Sequence, residues 1–102
     1  MIYVNDMGWN VVKVPSHFHK LQRSDGIYTL GATDYNTKCV YINDKLQGKF
    51  LDKVLCHELT HVISFSYNLY LDIETEEKIA DFIANYGREV FQLADGFLYD
   101  YL

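Results

Sequence analysis

His57 and His61 stand four residues apart in the run Val54-Leu55-Cys56-His57-Glu58-Leu59-Thr60-His61-Val62, and a glutamate directly follows the first of them. In an α-helix, residues at that spacing lie about 40° apart around the axis and one turn apart along it. Two imidazoles so placed can converge on one Zn²⁺ at roughly 2.0–2.1 Å. Glu58 falls about 100° further round from His57, too far to join them easily as a ligand. It is well placed to hydrogen-bond a water on the open side of the ion, the position of a general base. The alternative, two histidines filling space in an apolar helix, leaves the acid at its fixed offset unexplained.

A catalytic zinc site takes three protein ligands and keeps one position open. The acids downstream are Glu74, Glu76 and Glu77. Glu77 and Asp81 are four apart and share a helix face, so Glu77 could bind the ion while Asp81 accepts the N–H of a ligating histidine. His57-Glu58-Leu59-Thr60-His61 followed by Glu77-x-x-Ala80-Asp81 resembles the gluzincins, zinc peptidases in which a second helix supplies a glutamate ligand and a supporting acid. Val40-Tyr41-Ile42, a loop and then the apolar helix also look like the small metallopeptidases of the ImmA/IrrE type, common on phages and mobile elements. The resemblance runs over about residues 38–85.

What the resemblance implies is zinc-dependent hydrolysis of a peptide bond in a peptide or protein substrate. His57, His61 and Glu77 would be the metal ligands, Glu58 the base and Asp81 the acid behind a ligand. Tyr67, Tyr70, Tyr86, His17, His19 and Arg88 are the candidates for a donor to the transition state, and the sequence does not rank them. A second reading is a zinc-holding regulatory or interaction module with little or no peptidase activity. Glu58 argues against it, because a structural zinc site needs no base and closes its fourth position.

Several elements must position these groups. Met1–Val4 and Trp9–Val14 read as strands around a turn at Asn5-Asp6-Met7-Gly8, and Ser16 as the cap of a short helix or turn through His17–Leu21. His17 and His19, two apart, read as surface histidines. Ile27–Ala32 reads as β-like, Thr33–Thr37 as a hairpin loop and Lys38–Ile42 as its returning strand. A helix is expected over about Gly48–Tyr67, with apolar residues on two faces, so that it lies between the sheet and a second helix. That second helix should run from Ile73 to about Ala94, stopped by Asp95-Gly96, with Ile79, Phe82, Ile83, Tyr86, Val90 and Leu93 as its core stripe. The fold class expected is α+β: a small twisted antiparallel sheet packed on the HExxH helix and followed by a C-terminal helix. Lys38–Ile42 would then be the sheet edge beside the metal, where an extended peptide could add as a further strand.

Composition narrows the alternatives. The 102 residues form one domain, with 49% hydrophobic and 16% aromatic residues, a globular and not a disordered balance. A net charge of −5 with nine scattered basic residues gives no face for nucleic acid. No apolar run is long enough to span a membrane, and Met1–Asp6 lacks the features of a signal peptide, so a cytoplasmic location is expected. Cys39 and Cys56 make no disulfide framework, and Cys56 reads as a buried thiol rather than a ligand.

Overall fold

The computed structural model describes residues 1–101. The chain is α+β, with four strands and two helices: β1 (Ile2–Val4), β2 (Met7–Val14), β3 (Gly31–Asp34), β4 (Cys39–Asn43), α1 (Gly48–Ser66) and α2 (Ile73–Tyr99). A 3₁₀ turn over His19–Leu21 lies between β2 and β3. His17 and His19 are exposed there.

The sheet order is β1-β2-β4-β3. β1–β2 and β3–β4 are antiparallel, but β2 and β4 run parallel, Val11 beside Val40 and Lys13 beside Ile42. The sheet is therefore mixed and not wholly antiparallel, because the excursion over residues 15–30 lets β3, not β4, return along the edge. Lys38–Ile42 is consequently not an edge. β4 is bonded on both sides, and the edges belong to β1 and β3, of which β3 lies beside the HExxH helix. The β-structure expected over Ile27–Ala32 begins only at Gly31, reaches Asp34, and is preceded by an isolated bridge between Gln22 and Tyr28.

Local chemistry fixes the connections. Asn5 and Asp6 both take positive φ in the two-residue turn between Val4 and Met7, the combination a tight hairpin needs. α1 ends in a Schellman motif: Asn68 is left-handed, its N–H donates to Phe65 O, and Leu69 N–H donates to Ser64 O. Asp72 then caps α2, accepting the Thr75 N–H at 2.7 Å. These two caps reverse the chain within a few residues, so α2 returns along α1.

The core lies between the sheet and α1. Trp9, Val40, Ile42, Leu46 and Val62 are buried together, with Leu51, Val54, Leu55 and Leu59 packed against them. Trp9 Nε1 donates to the buried Ser66 Oγ at 3.1 Å, which pins the end of α1 to β2. Its ring meets Tyr35 and Phe65 edge-on.

α2 packs differently from the expectation. Its face against α1 carries Glu76, Ala80 and Gly87, all buried. The stripe expected to be core is largely in solvent, with Phe82 53%, Tyr86 56% and Leu93 69% exposed. Small residues let the two helices approach, and the histidines of α1 draw the carboxylates of α2 inward. That demand outweighs the burial of the apolar stripe. Asp95-Gly96 does not stop the helix, which continues to Tyr99. An isolated glycine inside a helix costs only about 1 kcal/mol, and no proline enforces an end.

Candidate metal centre

α1 presents His57, Glu58 and His61 towards a cleft of about 850 Å³ walled by β3 on one side and the first turns of α2 on the other. The cleft floor is built from these three residues with Glu77, Asp81, Thr33 and Tyr35.

The two imidazoles face each other through Nε2, 3.3 Å apart. Glu77 lies across from both, with Oε1 2.8 Å from His61 Nε2 and Oε2 3.2 Å from His57 Nε2. For a tetrahedral ion with bonds near 2.05 Å, the edge between two ligand atoms is about 3.3 Å. The Nε2 pair matches that edge, Glu77 meets the two rings through different oxygens, and one donor atom from each of the three residues lies within 4.8 Å of the others, so the group could hold one metal ion. Among the described residues this is the one group of histidine, cysteine and acid donors so arranged.

The far side of each ring is equally specified. Asp81 Oδ1 sits 2.9 Å from His57 Nδ1, and Glu76 Oε2 sits 2.6 Å from His61 Nδ1. Each imidazole therefore has a carboxylate of its own behind it, an arrangement that would favour the Nδ1–H tautomer and free Nε2 to bind an ion at the centre. Glu76 is buried and also accepts from the Ser64 hydroxyl. Burial pushes its carboxyl up, but the Ser64 and His61 donors outweigh that and hold it below the usual carboxylate range. Asp81 is mostly exposed.

Glu58 is buried at the base of the cleft, and its Oε1 accepts from Thr33 Oγ1 at 2.8 Å. Burial raises its carboxyl above the usual range, while the Thr33 hydroxyl and the two histidines pull it back down. Gly31 makes this proximity feasible. A Cβ there would come within 2.9 Å of Val54 Cγ1 and 3.0 Å of Glu58 Cγ, so any larger residue would push β3 away from α1.

The predicted site residues His57, Glu58, His61, Glu77 and Asp81 are thus brought together. Glu76, one of the open choices for third ligand, lies instead behind His61, and Glu74 is on the surface beside Lys78. None of the six candidate transition-state donors lines the cleft. Arg88 is held by Asp52 of α1, through Nε at 2.9 Å and Nη2 at 2.6 Å. The phenol at the site is Tyr35, which the sequence reading passed over as part of a hairpin loop. Burial and the surrounding Glu76, Glu58 and Glu77 charges push it up to about 12, so it stays protonated and able to donate. Cys56 is half-buried and points to Asp52, away from the cleft.

The sequence matches no protein-family model, and it matches no curated protein. No helix among the described residues is long and apolar enough to cross a membrane.

Proposed function

We propose that this chain is a zinc-dependent peptide hydrolase of the gluzincin type, with His57, His61 and Glu77 holding the ion. The observation that carries the reading is the doubled support of the imidazoles. Asp81 and Glu76 occupy the two Nδ1 atoms, and the two Nε2 atoms face one another at the edge length of a tetrahedral zinc site. A chance cluster of ionic groups has no need of that division of labour.

When bound, Zn²⁺ supplies a Lewis acid for the scissile carbonyl and lowers the pKa of water. Glu58 takes the proton of the attacking water as the C–O bond forms and passes it to the nitrogen of the leaving amine as the C–N bond breaks. Thr33 orients the Glu58 carboxylate by its hydroxyl. Tyr35 donates to the oxygen on which negative charge develops. The unpaired edge of β3, beside Glu58, accepts the backbone of an extended peptide, which gives the substrate its direction across the cleft.

The test is zinc stoichiometry and cleavage of a mixed peptide pool by wild type, Glu77→Ala and Glu58→Gln. One zinc per chain, lost in Glu77→Ala and retained without cleavage in Glu58→Gln, supports the proposal. Zinc bound but no cleavage in wild type would return the chain to the regulatory zinc-module reading, and no zinc after reconstitution would end both.

A further inference from the structure

α2 is longer than anything it packs on. α1 covers it as far as Arg88, and every described residue from Arg88 onwards is exposed. Residues 89–99 therefore project as three turns, about 16 Å, in free solvent. The molecule measures 50 × 30 × 28 Å, with a radius of gyration of 15.1 Å against about 13 Å for a compact chain of this length. These turns extend a helix already nucleated in its covered half, but they bury none of their apolar side chains, and a packing partner is what would stabilise them.

The apolar positions say what kind. Ile79, Ile83, Tyr86, Val90, Leu93 and Phe97 follow steps of four, three, four, three and four. That is the seam of a coiled coil, with Ile83, Val90 and Phe97 at one core position and Ile79, Tyr86 and Leu93 at the other. The seam runs without a break from the covered half of α2 into the free half. Its flanking positions, Ala80, Phe82, Gly87, Glu89, Ala94 and Gly96, carry a single charge between them. Nothing there selects a charged partner helix, and an identical helix in antiparallel register brings one like-charge contact, Glu89 with its own copy beside the axis.

We propose that α2 pairs with α2 of a second copy, antiparallel, about a two-fold axis near Arg88. In that register Ile79 meets Phe97, Ile83 meets Leu93 and Tyr86 meets Val90 of the other copy, each pair joining one kind of core position to the other, as antiparallel seams require. The free half of each helix lies on the covered half of its partner, so both exposed stretches are closed by one symmetric contact. Phe97 is 62% exposed and Leu93 69%, and the half-exposed seam as a whole would remove ~500 Å² per copy, or ~1,000 Å² in total. That reaches the lower bound of about 1,000 Å² for a specific interface. An anionic lipid surface is a poor alternative, because the polar side of the free half carries Glu89, Gln92 and Asp95 and no cation. Asp81 and Asn85 lie on the other side of α2 from the seam, so the cleft stays open in the pair.

Sedimentation of the 102-residue chain tests this without reference to metal or hydrolysis. Wild type should be a dimer at about 100 μM and dissociate on dilution, while Leu93→Glu and Phe97→Glu should be monomers with unchanged core signals, the Trp9 near-ultraviolet band among them. Gln92→Glu, on the polar side, should remain a dimer. A wild-type monomer at 100 μM would overturn the proposal, as would a dimer that survives Leu93→Glu or an open polymer in place of a closed pair.

Discussion

Two carboxylates stand behind two imidazoles, and they are not equivalent. Glu76 is buried and shared between His61 and Ser64, whereas Asp81 is mostly in solvent behind His57. Replacing either by its amide should weaken zinc binding about 10–100-fold, read by competition with a chromophoric chelator. Glu76→Gln should in addition lower the melting temperature of the metal-free chain, because its partners are buried, and Asp81→Asn should leave it unchanged. Tyr35→Phe should keep its zinc and reduce kcat and kcat/KM together, by about 10²–10³-fold, as expected for a donor that acts only in the transition state. The grouping of His57, His61, Glu77 and Asp81 was legible in the sequence because helical spacing alone puts His57 with His61 and Glu77 with Asp81. Tyr35 was not. It reaches the site from a hairpin whose position depends on long-range pairing, and no local pattern marks one tyrosine among nine.

At the scale of elements, the approach of β3 to α1 is the tightest requirement. Gly31→Ala should destabilise the fold by about 1–3 kcal/mol and reduce hydrolysis more than zinc binding, since the new methyl meets Val54 and Glu58 rather than a ligand. Equilibrium urea unfolding alongside zinc stoichiometry separates the two effects. The turn at Asn5-Asp6 and the start of α2 at Ile73 were readable, because the first rests on local backbone preference and the second on hydropathy period and the acids of the opening turn. The orientation of α2 was not. Its sequence carries two stripes, one apolar and one of Glu76, Ala80 and Gly87, and hydropathy favours the wrong one. Only the presence of histidines on the neighbouring helix decides which stripe turns inward. The edge of the sheet was misjudged for a related reason: strand order depends on how residues 15–30 travel, and their local chemistry does not record it.

Across the molecule, an ion pair at the cleft lip sets part of the acid response. Lys20 Nζ lies 3.0 Å from Asp34 Oδ2, and its ammonium holds the Asp34 carboxyl down at about 2, against an ordinary 3.8. Folded Asp34 binds its proton more weakly than unfolded Asp34, so this contribution is complete above about pH 4 and is lost as pH falls towards 2. Asp34→Asn should therefore lower the melting temperature at pH 6 and converge with wild type near pH 2. The order of chain and site has a different kind of consequence. Every group assigned to the ion, and both acids behind the rings, falls between His57 and Asp81, on two helices joined by a capped reversal. These contacts close loops of 15 to 24 residues, a little shorter than the 29 that separate β2 from β4 and longer than either hairpin. Because the unfolded chain holds the same candidate ligands within one short span, zinc should stabilise the fold by less than its affinity for the native state implies, read by comparing the melting temperature with the binding constant at known free zinc.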